Sequence, residues 1–156
     1  MATNTYAGTN MRVSLTLPAT NDEAGYNAIE TAAAWVGGEC SLQTVPSVGR
    51  TWNTAQENLV CAETNIKVKA SSMYKTWSFP ISIKGGDALQ NILRQAEESR
   101  TLNIAVELAF PGNVGAVYAQ VQVLEFDIVS GGGQDDIISA NVQMELQKKY
   151  VFVPGV

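Results

Sequence analysis

Alternation of apolar and polar residues along the second half of the chain most constrains its fold. Four segments carry the pattern: residues 77–83, 102–110, 117–128 and 138–146. A period of two places successive side chains on opposite faces, which is typical of half-buried strands. No helical pattern recurs between successive strands, as a parallel α/β sheet would require. The pattern predicts one mainly β domain over residues 1–156, an antiparallel β-sandwich or barrel-like fold.

The alternation changes phase once, near Val123 and Leu124. Apolar residues occupy odd positions from 117 to 123 and even positions from 124 to 128. Such a slip predicts a β-bulge or a strand that passes from one sheet to another. The same slip places Glu125 and Asp127 on one side of the strand. Two neighbouring carboxylates can do acid–base chemistry, but no surrounding motif favours this over a solvated edge.

One flanking α-helix is predicted after residue 86. Asp87 is a good N-cap residue, and Gln90 follows at the spacing of a capping box. Apolar residues then recur at helical spacing, at Leu89, Ile92, Leu93 and Ala96. In the strand before this helix, Pro80 lacks an N–H donor, which predicts an edge strand or a bulge.

The first half of the chain carries weaker patterns. Residues 1–10 are small and polar and predict a flexible arm, whereas residues 47–64 predict a long loop, a kind of segment that is usually functional or becomes ordered on assembly. Strands are predicted at 11–17, 39–45 and 65–70, with a polar turn at 19–25. Residues 26–35 fit either a short helix or a loop.

Composition argues against nucleic-acid binding proteins and most enzymes. The chain has 15 acidic and 10 basic residues, and Lys148-Lys149 is its longest basic run, so tight DNA binding is not expected. The absence of histidine removes the commonest general base and metal ligand. Cys40 and Cys61 make no zinc pattern, and whether they pair stays open. We therefore predict a protein that is not an enzyme, with no catalytic residue, metal or cofactor.

Other features favour assembly. Charged residues are only 16% of the chain, which suits subunits that bury surface against neighbours. The three tryptophans, Trp35, Trp52 and Trp77, have no interleaved basic residues in the sequence, so core or interface positions are expected rather than base stacking. No signal peptide or membrane span is predicted, and we expect synthesis in the cytosol.

The order of elements from Trp77 onward resembles the tail tube proteins of long-tailed bacteriophages. The stretches that carry the resemblance are Trp77-Ser78-Phe79-Pro80-Ile81-Ser82, Gly86-Asp87-Ala88-Leu89-Gln90-Asn91-Ile92-Leu93 and Phe126-Asp127-Ile128-Val129-Ser130-Gly131. The resemblance covers roughly the C-terminal half. It implies two packed antiparallel sheets with a flanking helix, and hexameric rings that stack into a hollow tube in the virion. Such a tube guides double-stranded DNA outward without binding it specifically.

The resemblance also implies roles for particular residues and proteins. The residues expected to face the lumen are Gln120, Gln122, Gln143 and Glu145, although the same faces also fit an outer, solvated surface. The residues expected at contacts between rings are Thr3, Tyr6, Arg50, Trp52, Asp135 and Asp136. Further copies of the chain, a tape measure protein, and tail tip and tail terminator proteins are the implied partners. The alternatives are a type VI secretion tube protein, a monomeric β-sandwich binding module, and a hydrolase without a recognisable motif.

Overall fold

The computed structural model describes residues 9–37, 46–57, 66–83, 86–129 and 138–155. The strands are β1 (Asn10–Ser14), β2 (Val36–Gly37), β3 (Arg50–Glu57), β4 (Ile66–Tyr74), β5 (Trp77–Ser82), β6 (Ile104–Phe110), β7 (Gly115–Val129), β8 (Ser139–Leu146) and β9 (Val151–Pro154). The helices are α1 (Glu23–Thr31) and α2 (Ala88–Glu98). The strand expected at 39–45, the arm residues 1–8 and both cysteines lie outside the described residues.

A seven-stranded antiparallel sheet contains all strands except β3 and β4. Its order is β2-β1-β6-β7-β8-β5, and β9 also pairs with β7. Strand β7 has 15 residues and organises the sheet. On one side its first half pairs with β6; on the other side it pairs first with β9 and then, from Val121 onward, with β8. Pro80 lies in β5 at the end of this order, as its missing N–H predicted.

The phase change near Val123 is a bulge in β7. Val123 pairs with Met144, but the next partner of β8, Gln143, pairs with Glu125, so Leu124 is the extra residue. Because Leu124 is left out of the ladder, Phe126 stays on the face that packs against the core. The predicted bulge is confirmed at the predicted position.

The main core lies between one face of the curved sheet and α2. Both ends of the sheet contribute to it, with Val13 from β1 and Trp77 from β5. Helix α2 adds Leu89 and Leu93, and Asp87 caps it by accepting a hydrogen bond from the Leu89 N–H at 3.2 Å. A sheet whose two ends share one core is curved, which confirms a mainly antiparallel, barrel-like fold. Strand β1 ends earlier than the strand predicted at 11–17, and Leu15 and Leu17 lie beyond its end and are exposed.

A second helix, α1, packs on the opposite face of the sheet. Sequence patterns predicted a polar turn followed by a helix or loop here, but the helix already begins at Glu23. Asp22 caps it by accepting from the Gly25 N–H at 2.9 Å, and a Cβ at Gly25 would collide with the Thr20 carbonyl oxygen. Tyr26 stacks on Tyr118 of β7 with ring centroids 5.0 Å apart. The described residues therefore form two helices, where one was expected.

A buried ion network fixes α1 to this face. Arg12 donates from Nε and Nη2 to the two carboxylate oxygens of Glu107, both at 2.7 Å, and from Nη2 to Glu30 of α1 at 2.8 Å. The Glu107 side chain is 1% exposed. Burial lowers the pKa of Arg12, but the hydrogen bonds and charges of Glu107 and Glu30 outweigh burial and raise the net pKa, so Arg12 stays charged. The guanidinium also lies 5.6 Å from the centroid of Trp35.

Two of the predicted boundaries are wrong. Residues 50–57, expected within a long loop at 47–64, form strand β3, because β4 lies opposite and supplies a partner ladder that no local pattern revealed. Asn10, expected in the N-terminal arm, is the first residue of β1 and pairs with Ala109 of β6.

Replacing Arg12 by methionine should destabilise the fold strongly. The change leaves the buried carboxylate of Glu107 without its counter-charge, and we expect a loss of about 3–5 kcal/mol in the free energy of unfolding. Urea denaturation measures it. The double variant Arg12→Met/Glu107→Leu removes both charges and should recover most of the loss. A single variant that stays within about 1 kcal/mol of wild type would show that the pair does not hold α1 in place.

Alkaline pH should weaken the same region. Burial raises the pKa of Tyr26 to about 12, although a hydrogen bond with Gln120 acts in the opposite direction. Burial and the charge of Glu107 also raise the pKa of Tyr118. The pKa of each tyrosine is higher in the folded state than in the unfolded state. The stability that the protonated tyrosines contribute is therefore complete below pH 10 and is lost as pH rises towards 12.

The variant Tyr26→Phe cannot ionise at this position. Between pH 10 and 11.5 we expect its free energy of unfolding to fall less steeply than that of wild type, by up to about 1.4 kcal/mol per pH unit. Urea titrations at fixed pH measure both slopes. Equal slopes would contradict the assignment.

Candidate assembly surfaces

The half of the sheet that α1 leaves open presents a mainly polar face. Directly paired residues in adjacent strands point to the same side of a sheet. Five such pairs therefore share one side across β7, β8 and β5. They are Gln122–Glu145, Glu125–Gln143, Asp127–Asn141, Ser78–Gln143 and Pro80–Asn141. We call these eight residues the open polar face. Their neighbours along the strands, among them Trp77, Val142 and Met144, are buried in the main core on the other side.

The open polar face is acidic. Glu125, Asp127 and Glu145 are exposed, and Gln122 and Gln143 are half-buried. The face contains three carboxylates and no lysine or arginine. The bulge at Leu124 brings two of the three carboxylates here, because a regular ladder would turn Glu125 and Asp127 towards the core. The carboxylate pair seen in the sequence thus belongs to an open surface.

Three of the four residues predicted to line a lumen lie together on this face: Gln122, Gln143 and Glu145. The fourth, Gln120, is only 3% exposed. It lies on the same side of the sheet but in the half that α1 covers, where it is hydrogen-bonded to Tyr26. Gln120 therefore cannot line a channel in this conformation, and its prediction is corrected. Within the described part of the chain, no group of three or more His, Cys, Asp or Glu residues is placed to hold a metal ion.

A second candidate surface is the hairpin of β3 and β4. These strands pair with each other, with a bulge between Trp52 and Thr54, and form a separate two-stranded sheet. The base of the hairpin is fixed by the Lys75 N–H, which donates to the Gly49 carbonyl at 3.0 Å, and by Tyr74, whose ring meets that of Tyr150 edge to face at 5.9 Å. The hairpin is attached to the body mainly at this end.

Basic side chains surround Trp52 on the hairpin. The Arg50 guanidinium lies 5.3 Å from the centroid of the Trp52 ring and 5.1 Å from that of Tyr74, and the Lys69 ammonium lies 5.3 Å from the Trp52 centroid. The sequence shows no basic residues interleaved with the tryptophans, but the fold brings cations to Trp52, because Lys69 arrives from the opposite strand. The core reading is right for Trp77, which is completely buried.

Of the six residues predicted to lie at contacts between rings, the structure describes two. Arg50 and Trp52 lie together on β3. Thr3, Tyr6, Asp135 and Asp136 lie outside the described residues.

The described helices include none that is long and apolar enough to cross a membrane.

Known structures share this arrangement of elements, although no protein-family model and no curated protein matches the sequence. A chain in the cryo-EM structure of the anti-feeding prophage baseplate superposes with a TM-score of 0.62 at 8% identity, covering 96% of this chain and 97% of that chain. A chain in the virion of a native gene transfer agent particle gives 0.61 at 10%, covering 92% and 95%. A chain in the sheath-tube complex of the extracellular contractile injection system PVC gives 0.57 at 6%, covering 97% and 92%.

These superpositions span nearly the whole of each chain. They show that the chain has the fold of tail tube proteins, as the resemblance of its C-terminal half implied. The likeness extends through the N-terminal half, where sequence patterns were weakest.

Deleting Leu124 should be tolerated. Without the extra residue, β7 and β8 form a regular ladder in which Glu125 and Asp127 keep their face, so we expect a loss of at most about 2 kcal/mol. Deleting Gln143 from β8 is the matched control, since it increases the difference in length between the paired segments of β7 and β8. By turning polar residues inward it should lower the free energy of unfolding by more than about 3 kcal/mol. Thermal and urea denaturation compare the two. If both deletions unfold the protein equally, the bulge does not set the register.

Proposed function

We propose that this chain is the tube subunit of a phage-like tail and that it acts mechanically, not as an enzyme. Six copies form a ring, rings stack into a hollow tube, and the open polar face lines the channel through which DNA passes. The observation that carries the proposal is the combination of the tail tube fold with an open sheet face that holds three carboxylates and no cation.

Electrostatics support a channel role for this face. Double-stranded DNA carries one negative charge per roughly 1.7 Å of helix axis, and proteins that hold it place lysine and arginine on the phosphates. A face with Glu125, Asp127 and Glu145 instead repels the phosphates and leaves no site at which DNA would stop. The two glutamines, Asn141 and Ser78 keep the face hydrated without adding attraction.

Free strand edges support a ring. On the side away from β8, β7 pairs with β6 only as far as Val121, and β5 pairs only with β8. The three-stranded half that carries the open polar face therefore has two unlike edges among the described strands. Joining one edge to the other edge of the next copy is a heterologous contact, which closes into a ring when the rotation fits. Six copies agree with the six-fold symmetrised baseplate and the C6 tail of the gene transfer agent.

The remaining partners follow from this role. A tube of this kind would meet a tape measure protein inside it, and tail tip and tail terminator proteins at its ends. The subunit would be made in the host cytoplasm and reside in the virion. A type VI secretion tube protein is the nearest alternative and would assemble outside a virion; a monomeric β-sandwich module or a hydrolase would form no rings.

Negative-stain electron microscopy of the purified chain over a concentration series separates these proposals. Rings or hollow tubes are expected. A monomer at every concentration, with and without added tail tip protein as an initiator, would favour the binding-module alternative.

Cations on the open polar face should hinder DNA passage. We expect virions that carry Gln143→Lys/Glu145→Lys to build normal tubes but to release DNA about tenfold more slowly, with the delay relieved by salt, because lysines bind phosphates. The matched control is Glu97→Lys/Glu98→Gln on the exposed end of α2, which changes the charge equally. Tubes of normal appearance that release DNA at the wild-type rate would show that this face does not line the channel.

A further inference from the structure

The sheet face beneath α1 is polar, although the helix covers it. Among the described residues, four polar or charged side chains are buried: Ser14, Gln90, Glu107 and Gln120. Ser14 and Gln120 both pair with Ala105, which packs under α1. Glu107 follows Ala105 by two residues and therefore lies on the same side. A sheet face with several polar side chains is typical of one that meets water.

The covered face and the open polar face form one surface along β7. Tyr118, Gln120 and Gln122 occupy alternate positions of this strand, so their side chains point to the same side. Tyr118 lies under α1, whereas Gln122 belongs to the open polar face. Helix α1 therefore covers one half of a polar sheet face and leaves the other half open.

Helix α1 covers this face with few side chains. It has nine residues, of which Gly25, Tyr26 and Ile29 are buried. The sheet residues beneath it include Ala105 and Ala116, whose small side chains offer little apolar area. A helix of this length is marginally stable by itself in water, so it would not persist away from the sheet.

The ion network under α1 consists of an inner pair and an outer bridge. The inner pair, Arg12 with Glu107, joins β1 to β6 and does not need the helix. The outer bridge joins Arg12 to Glu30 of α1 at 2.8 Å, and the Glu30 side chain is 31% exposed. Water and salt therefore reach the outer bridge while the inner pair stays buried.

The closed position of α1 also leaves a polar atom unpaired. Asn27 Oδ1, on α1, is buried and has no hydrogen-bond partner among the described residues. A buried acceptor without a partner lowers the stability of the closed state, and opening of the helix returns it to water.

We infer that α1 is a removable cover, which opens locally while the sheet and the main core stay folded, and which the Arg12–Glu30 bridge holds closed. When α1 leaves, Glu107, Tyr118 and Gln120 reach water, and the open polar face extends across β7 to β6 and β1. The opening goes beyond the proposed function and does not require it. In a tube, Gln120 would face the channel only after opening, a consequence that does rest on the proposed function.

Hydrogen–deuterium exchange and hydroxyl radical footprinting test the cover. The amides of residues 26–32 should exchange at least about tenfold faster than those of α2, since local opening requires less free energy than global unfolding. In Glu30→Gln they should exchange about two- to fivefold faster still, as expected for the loss of one partly exposed ion pair. Glu98→Gln, the same change on an exposed residue of α2, is the matched control and should leave α1 unchanged. Oxidation of Tyr118 should be faster in Glu30→Gln than in wild type, while Trp77 in the main core stays protected.

Three results would overturn the inference. Exchange of α1 as slow as that of α2 would show that the helix leaves only on global unfolding. Fast exchange of α1 with Tyr118 protected as well as Trp77 would show fraying of the helix without uncovering of the sheet. Equal exchange in Glu30→Gln and Glu98→Gln would show that the outer bridge does not hold the cover. Micrographs without rings would overturn the proposed tube and leave the cover standing.

Discussion

The register of β7 against β8, which leaves Leu124 out of the ladder, is the constraint on which the open polar face depends. One face of strand β7 lies under α1 in the first half of the strand and carries open carboxylates in the second half. A strict period of two could not keep Phe126 inward and Glu125 outward after Val123. One unpaired residue resolves the conflict, and the same ladder then continues to Val129.

The helix α1 decides how much of the sheet stays open. It covers the first half of β7 through Tyr26 and is fixed by the bidentate ion pair of Arg12 with Glu107 and its extension to Glu30. A charge pair buried at this depth contributes less to net stability than its geometry suggests, because both groups lose water. Its effect is positional: Arg12 of β1 binds Glu107 of β6 and Glu30 of α1 at the same time and so joins the three elements. Gln120 is buried for this reason, although nothing in its own strand pattern distinguishes it from Gln122.

Local patterns were informative where one face of an element meets water and the other meets the core. Strands β5 and β8 and the bulge in β7 could be predicted for this reason. The cap at Asp87 and the edge position of Pro80 follow from the chemistry of those two residues. Strand β6 is buried on both faces, and its alternation stayed visible because Ala105 and Glu107 lie on the side of α1. Local patterns failed where partners that are distant in the sequence decide the structure. Strand β3 exists because β4 lies opposite, and the meeting of Lys69 with Trp52 follows from that pairing. Asp22 is by itself a favourable N-cap residue, but the polar residues around it favoured the prediction of a turn.

The separation of charge in this chain has a structural consequence. Acidic side chains concentrate on the body and the open polar face, whereas the basic ones of residues 50–75 lie on a hairpin joined to that body mainly at its base. If the hairpin folded back on its own acidic surface, the attraction would be satisfied within one molecule and would resist assembly. The contact of Tyr74 with Tyr150 and the hydrogen bond from Lys75 to Gly49 hold its base instead, and Arg50 and Lys69 lie on the ring of Trp52. In the proposed tube, attraction between copies and repulsion of DNA would act on different surfaces of one acidic protein, so the two can coexist.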